Sequence, residues 1–199
     1  MTGSSESPRH HESDERSDAE LVARTRGGDA AAFDALVRRH YRSAFAVALA
    51  QTGHRADAED VCHDAFVRAA ARLEDCRQPE RFVHWLCAIV RNHARNAIAR
   101  GVVRRASSLD HETAASGDDS ARDAERAELR RRLEAGLARL SPVQREVVLL
   151  HDLDGWTHES IATEIGTSAG MSRQHLFHAR RRLREFLGAE LPREYLDDR

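Results

Sequence analysis

Residues 156–186, WTHESIATEIGTSAGMSRQHLFHARRRLREF, contain two apolar runs with helical spacing that are separated by a single glycine. In the first run Ile161, Ala162 and Ile165 fall on one face of a helix. Gly166 follows this run directly, and a glycine in that place favours a left-handed residue that turns the chain sharply. The small side chains at the turn let two helices cross closely. The stretch therefore predicts two short helices joined by a tight turn.

The second of these helices is strongly basic on the side opposite its apolar stripe. Ser168 can cap its start, and Leu176, Ala179, Leu183 and Leu187 form the stripe. Arginine can pair with guanine, glutamine with adenine, and phenylalanine can contact the thymine methyl group, whereas arginines later in the helix suit phosphates. The pattern predicts a DNA-binding helix-turn-helix, although an arginine-rich solvated face is the simpler alternative. The candidate DNA contacts are Ser168, Arg173, Gln174, Phe177, His178, Arg180 and Arg181.

The rest of the chain also has helical periodicity, and no β-type alternation or internal repeat is visible. Ser17 and Glu20 have the spacing of a capping box, Asp29 can cap a second helix, and Gly53 can end it. Two further helices are predicted from near Asp57 and from about 81 to 100. The sequence thus predicts an all-α protein whose first unit has four helices.

Composition divides the chain into five parts. A polar tail (1–16) precedes the four-helix unit (17–105), and an acidic linker rich in Ser, Gly and Asp follows (106–124). A second helical unit (125–189) carries the stripe Leu129, Leu133, Leu137 and Leu140, then the helix start SPVQ, then the helix-turn-helix; residues 190–199 form a tail. We therefore expect two small helical domains joined by a flexible acidic linker.

The formal net charge of −2 conceals a strong separation of charge along the chain. Residues 77–105 contain seven Arg and one Glu, whereas residues 106–125 contain six acids and one Arg. A near-neutral chain with two basic segments remains compatible with nucleic-acid binding.

Neither a membrane segment nor a secretion signal is predicted, because no run of 18 apolar residues occurs and the N-terminal residues have no apolar core. Cys62, Cys76 and Cys87 form no CxxC pair, so we interpret them as reduced thiols of a cytoplasmic protein.

Several segments together resemble the sigma-70 family of bacterial RNA polymerase sigma factors. DAEDVCHDAFVRAAARL resembles region 2.2, RFVHWLCAIVRNHARNAIARGVVRR resembles regions 2.3 and 2.4, and the segment from LARLSPVQ to RRRLREFL resembles region 4. With only these two domains, the chain is similar to the extracytoplasmic-function (ECF) subfamily. The resemblance implies a subunit that binds core RNA polymerase and directs promoter-specific initiation.

The resemblance also implies a role for each segment. The acidic helix would dock on the polymerase β′ clamp, and region 4 would contact the β flap and read the −35 promoter element. The residues implied for polymerase binding are Asp57, Glu59, Asp60 and Asp64, although acids near a helix start also suit the helix dipole. The residues implied for the unpaired −10 element, on a face we expect to be exposed, are Arg91, Asn92, Arg95, Asn96 and Arg100.

Two positions differ from the family pattern, and a third has two possible roles. Asn96 stands where the family usually has Asp, and Ser172 where an apolar residue is usual. Trp85 could stack on a base, but the family pattern favours a place in the core.

The linker has a distance to span. Reading surfaces about 20 base pairs apart lie roughly 70 Å apart along DNA, and twenty extended residues reach about 66–72 Å. By resemblance the linker would thread the RNA exit path of the polymerase, and a solvated spacer is an equal alternative.

A stand-alone helix-turn-helix regulator is the main alternative, but the first unit has no recognisable dimer interface or effector pocket. A zinc site at Cys62-His63 with His84 and Cys87 lacks the usual metal-ligand spacing. We expect no metal, no cofactor and no catalytic activity. An anti-sigma partner is compatible with the resemblance, and the sequence does not identify one.

Overall fold

The computed structural model describes residues 16–101 and 120–188, and over these residues the chain is helical without any strand. The first unit contains α1 (Asp18–Arg26), α2 (Ala30–Thr52), α3 (Arg55–Ala71) and α4 (Phe82–Ala99). The second unit contains α5 (Ser120–Ala138), α6 (Pro142–Val148), α7 (His158–Ile165) and α8 (Ala169–Gly188). Short 3₁₀ turns at Leu73–Asp75 and Pro79–Arg81 connect α3 to α4. The predicted all-α class is confirmed.

In the first unit α2 is the central helix, and α1, α3 and α4 pack around it. Leu21 of α1, Leu36 and Val47 of α2, and Leu86 of α4 are fully buried in this core. The core is closed because one face of each helix is apolar at helical spacing.

The helix starts of the first unit follow the local signals in the sequence. Ser17 and Glu20 form the predicted capping box, and the side chain of Asp29 accepts hydrogen bonds from the backbone at the start of α2. Gly53 ends α2 in the left-handed conformation, with φ 75°. Helix α3 begins at Arg55, two residues before the expected start at Asp57.

The helices of the second unit also begin and end at the capping signals in the sequence. Ser141 and Gln144 form a capping box, and α6 continues into a π turn at Leu149–Leu153. The hydroxyl of Thr157 accepts a hydrogen bond from the backbone at the start of α7. Gly166 ends α7 with φ 73°, which is the left-handed turn that the sequence predicts.

Helix α8 packs against the rest of the second unit through its predicted stripe. The hydroxyl of Ser168 accepts a 3.1 Å hydrogen bond from the backbone of Met171. Leu176 and Ala179 are buried, and α5 approaches α8 closely at Gly136. A methyl group at that glycine would lie 3.1 Å from Leu183. The predicted helix-turn-helix is confirmed.

Helix α5 differs from expectation in two ways. It begins at Ser120, earlier than the expected start near Glu125, because its first residues are mostly good helix formers. Leu129 and Leu133 of its predicted stripe are exposed, since α5 meets α8 near Gly136, closer to its C-terminal end. The expectations for the tail at 1–15, the linker at 102–119 and the tail at 189–199 lie outside the described residues.

The two units pack directly on each other, which the sequence did not predict. Arg145 of α6 donates a 3.0 Å hydrogen bond to the carbonyl oxygen of Ala50, at the C-terminal end of α2. Trp156 donates through Nε1 to Asp154 at 2.8 Å and to Ser43 of α2 at 3.3 Å. The contact therefore joins α2 to the residues on both sides of the π turn.

Candidate nucleic-acid interface

The start of α8 presents the predicted base-reading side chains to solvent. Arg173, Gln174 and His178 are exposed, and Phe177 is exposed to 64%. They lie on the face opposite the buried residues Leu176 and Ala179. A helix held by one apolar seam can offer this opposite face to a DNA groove.

Ser172 lies on the inner side of α8 and is completely buried. Its hydroxyl oxygen lies 3.0 Å from Nδ1 of His158 in α7, so this polar group has a partner inside the helix-turn-helix. The ring of His158 stacks on His151, with ring centroids 4.7 Å apart. Burial, with the nearby charges of His151 and Arg173, lowers the pKa of His158. The pair accounts for a serine at a position where the family resemblance led us to expect an apolar residue.

Two arginines in the second half of α8 have acidic partners within the chain. Arg180 donates from Nε to Asp152 at 3.0 Å, and Arg181 donates to Glu185 at 2.8 Å. Although burial opposes it, the hydrogen bonds from Arg180 and His151 hold the pKa of Asp152 below its usual value. These exposed pairs can be exchanged for phosphates at low cost, because surface ion pairs contribute little.

The C-terminal half of α4 and the residue that follows it present four of the five residues implied for the −10 element on an exposed face. These are Asn92, Arg95, Asn96 and Arg100. Arg100 and Asn96 line a shallow depression with Arg68 of α3 and His93. The depression has cationic walls and is open to solvent, as the backbone of a single strand requires.

Arg91 departs from the prediction that it is exposed. Its side chain is only 14% exposed, and its Nη2 atom donates to Glu146 at 2.6 Å and to Glu164 at 2.9 Å. Although burial opposes it, the two carboxylates raise the pKa of Arg91 above its usual value. Helical periodicity places Arg91 on the correct face of α4, but it does not reveal that the second unit covers that part of the face.

A second depression lies between the loop before α4 and helix α7. The first unit contributes Asp75, Arg77, Gln78, Arg81, His84 and Trp85, and α7 contributes Thr163 and Glu164. Trp85 is partly buried and packs against Phe82 with ring centroids 5.8 Å apart, so one edge is in the core and another lines the depression. This agrees in part with the expectation that it is a core residue.

The acidic helix α3 exposes only some of its acids. Asp57 is buried, and its Oδ2 atom lies 3.9 Å from Nδ1 of His54 without a hydrogen bond, so its carboxylate is not presented to solvent in this packed arrangement. Glu59 is paired with Arg55 at the surface.

Asp60 and Asp64 are exposed and lie one turn apart on the outer side of α3. Asp64 lies 3.1 Å from Nε2 of the buried His93. Val67, one turn further, is 56% exposed on the same side. We name Asp60, Asp64 and Val67 the outer face of α3. Val67 was missed in the sequence, and an apolar residue at i+7 from Asp60 was the available signal.

The thiols and histidines do not assemble a metal site within residues 16–101 and 120–188, where no group of three suitable side chains occurs. Cys62, Cys76 and Cys87 are free and buried. Burial raises the pKa of Cys62 to about 12, which leaves it a poor nucleophile. No helix in the described part of the chain has the length and apolar character of a membrane span.

Comparison with known families gives two matches in the expected order. Residues 36–104 match the family described as Sigma-70 region 2, and residues 130–183 match the family described as Sigma-70, region 4. The first range covers α3, α4 and most of α2, and the second covers the end of α5 and helices α6, α7 and most of α8.

Three named relatives are similar over most of the chain. RNA polymerase sigma-H factor of Pseudomonas aeruginosa is 32% identical over 173 residues, which is 82% of this chain and 90% of the relative. RNA polymerase sigma factor CarQ of Myxococcus xanthus is 35% identical over 172 residues, 84% of this chain and 95% of the relative. ECF RNA polymerase sigma factor SigM of Mycobacterium tuberculosis is 32% identical over 174 residues, which is 87% of this chain and 86% of the relative.

Among solved structures, the fold is similar to that of CnrH in complex with the cytosolic domain of CnrY. The TM-score is 0.63 with 30% identity, over 87% of this chain and 99% of that one.

Proposed function

Because the chain belongs to the ECF sigma factors of bacterial RNA polymerase, we propose that three of its helices divide the work of promoter-specific initiation. Helix α3 binds the β′ clamp of core polymerase, α4 captures the −10 element, and α8 reads the −35 element. The alternative of a stand-alone regulator loses its basis, because the first unit matches a sigma region of its own.

The observation that carries this proposal is the geometry of α8. Arg173, Gln174 and Phe177 are exposed on one side of a helix whose other side is buried. Arg173 suits guanine and Gln174 suits adenine in the major groove. Arg180 and Arg181 then hold phosphates after leaving their acidic partners in the chain.

Helix α4 supplies the second reading surface. Asn92, Arg95, Asn96 and Arg100 offer hydrogen-bond donors and positive charge along one exposed face. Binding of a melted strand requires positive charges along its phosphate backbone and side chains that contact its exposed bases. We propose that Arg91 joins this surface once the second unit moves away.

The outer face of α3 is proposed as the contact with core polymerase. Asp60 and Asp64 can form charge-assisted hydrogen bonds with basic partner residues, and Val67 adds an apolar contact beside them. Asp57, which is buried, is left out of the proposed surface. The second unit is proposed to contact the β flap.

The partners and the location follow from this role. CnrH was solved in complex with the cytosolic domain of CnrY, and the sigma factor RpoE of Bartonella quintana with the anti-sigma factor NepR. We propose that this chain also has an anti-sigma partner, that it acts in the cytoplasm on the nucleoid, and that catalysis belongs to the polymerase.

Run-off transcription tests the proposal. Bacterial core polymerase and fragmented genomic DNA from the source organism are incubated with and without the protein. We expect discrete new transcripts whose templates share upstream sequence at two positions. Binding of duplex DNA in the absence of polymerase, without any new transcript, would instead indicate a free-standing regulator.

A further inference from the structure

His93 of α4 is a buried histidine that contacts the outer face of α3. Its side chain is only 7% exposed, and its Nε2 atom lies 3.1 Å from Oδ2 of Asp64. An ionised carboxylate can only accept hydrogen bonds, so Nε2 carries a proton and donates it to this bond. The surface proposed for polymerase is therefore joined by a hydrogen bond to the helix packed behind it.

The two acids of the outer face differ in how they are held. The side chain of Asp64 is 59% exposed, and its Oδ2 atom accepts the hydrogen bond from His93. Asp60 is also exposed, but it has no hydrogen bond or ion pair among the residues that the structure describes. The carboxylate of Asp64 is thus oriented before a partner arrives, whereas no such contact orients that of Asp60.

A purely structural role for the pair makes a distinct prediction. An exposed carboxylate gains little free energy of folding from a single ion pair. A buried imidazole, in contrast, needs a partner for its N–H group. A structural pair would therefore serve His93, and its loss would lower the free energy of unfolding without changing the affinity for a partner protein.

Orientation of Asp64 also favours binding to a basic partner. The bond to His93 uses Oδ2, and a carboxylate has a second oxygen that can accept a charge-assisted hydrogen bond from arginine or lysine. Association costs free energy when a mobile side chain becomes fixed in an interface, and a side chain that is already oriented loses less. The bond to His93 therefore reduces this cost at Asp64.

We propose that His93 is a positioning residue for core polymerase binding, which holds Asp64 in the orientation required by a basic residue of the β′ clamp. The inference rests on the proposed function, because it takes the outer face of α3 as the polymerase contact. His93 acts through Asp64 and does not itself touch the polymerase. Since His93 also lines the depression that contains Asn96 and Arg100, core affinity is measured without DNA, which excludes an effect through the −10 element.

Two amide side chains of different length test the hydrogen bond. The amide nitrogen of glutamine extends about as far from the backbone as Nε2 of histidine, whereas the amide of asparagine is shorter by a methylene group. His93→Gln therefore keeps a donor within reach of Asp64, and His93→Asn does not. His93→Leu is a second variant without a donor, and it fills the buried site with apolar atoms. The full-length proteins are titrated with core RNA polymerase, and urea denaturation gives the free energy of unfolding of each.

We expect His93→Asn and His93→Leu to weaken core binding about fivefold, the cost of fixing one side chain in an interface. His93→Gln should restore most of the affinity. Equal core affinity of the wild type and all three variants would overturn the proposal. An equal loss in His93→Gln and His93→Asn would overturn it as well, because the donor would then be irrelevant.

A double-mutant cycle separates positioning from a structural role. In a chain that carries Asp64→Ala, the further change His93→Leu should cause no additional loss of core affinity. Asp60→Ala is the matched background, in which His93→Leu should cause its full loss. Coupling of His93 with Asp64 in the free energy of unfolding, but not in core affinity, would overturn the proposal and leave the pair a structural role only.

The two alanine backgrounds also distinguish this failure from a failure of the proposed function. If Asp60→Ala and Asp64→Ala both bind core polymerase as tightly as the wild type, the polymerase contact itself fails, and the positioning role fails with it. If both bind more weakly while the His93 variants bind normally, only the positioning role fails.

Discussion

The hydroxyl oxygen of Ser172 lies 3.0 Å from Nδ1 of His158, and this pair joins the two helices of the helix-turn-helix inside their contact. Ser172 is completely buried, whereas the ring of His158 reaches the surface. Removal of the histidine would leave a buried hydroxyl without a partner, which costs about 1–3 kcal/mol. Removal of the hydroxyl instead leaves a nitrogen that water can reach.

We therefore expect His158→Ala to lower the free energy of unfolding more than Ser172→Ala does. Thermal and urea denaturation of the full chain measure both. His178→Ala, the same change at an exposed position of α8, is the control and should have little effect. An equal cost for both members of the pair would contradict the argument that the buried hydroxyl is the costlier group to leave without a partner.

The same pair predicts a pH dependence of stability. Burial lowers the pKa of His158 in the folded state, so the unfolded chain binds this proton more readily. Its contribution is complete above the unfolded pKa of about 6.5 and decreases as the pH falls through that value. The charged groups around the ring are His151, Glu159, Arg173 and Arg180, and three of them disfavour a further positive charge.

We expect the denaturation midpoint to fall between pH 7 and pH 5, and to fall less in a His158→Asn variant, which cannot take up the proton. Urea denaturation across this range measures the difference. Identical pH profiles for the two proteins would assign the dependence to other groups.

The local part of the fold could be predicted from the sequence because its signals act over three or four residues. The caps at Ser17, Asp29 and Ser141 and the left-handed glycine at 166 lie within the chain segments that they order. Periodicity also identified the two faces of α8 correctly.

The features that were missed depend on contacts between distant segments. Periodicity gives the face on which Arg91 lies, but not that Glu146 and Glu164 cover it. In the same way, an acid in the first turn of a helix can be exposed or buried, and Asp57 is buried. The partner of Ser172 lies on another helix, beyond the reach of a pattern read along one helix.

The outer face of α3 predicts a selective loss of polymerase binding. Asp60 is exposed and has no hydrogen bond or ion pair within residues 16–101 and 120–188, so Asp60→Arg should leave the fold intact. A reversed charge opposite a basic partner should weaken binding to core polymerase by about tenfold or more. Co-purification and a binding titration with core enzyme measure this, with Asp34→Arg, an exposed acid on α2, as the control. Binding by Asp60→Arg equal to that of the control would remove this face from the polymerase interface.

Replacement of Arg145 is expected to lower the stability of the protein, even when the new residue is lysine. Its guanidinium donates to three carbonyl oxygens, at 2.9, 3.0 and 3.2 Å. A lysine ammonium is a point charge on a flexible chain and cannot reproduce this fork. We expect both Arg145→Ala and Arg145→Lys to lower the free energy of unfolding by about 1–3 kcal/mol for each buried carbonyl left unpaired. Arg139→Lys, an exposed arginine over the ring of Phe186, is the control, and full stability in Arg145→Lys would contradict the argument.

Two arginines of α8 are expected to affect DNA binding in different ways when they are replaced. Arg173 lies in the first turns with the base-reading side chains, and Arg184 lies three turns later where α8 can follow phosphates. Loss of a base contact costs about 1–3 kcal/mol at one position and relaxes specificity there. Loss of a phosphate contact weakens binding to all sequences and lowers the salt slope by about 1. In run-off transcription with core polymerase, we expect Arg173→Ala to change which −35 sequences are preferred. We expect Arg184→Ala to reduce transcription from all −35 sequences by the same factor. Parallel titrations in salt with matched and mismatched duplexes separate the two effects, and a uniform loss in Arg173→Ala would place that arginine on the DNA backbone instead.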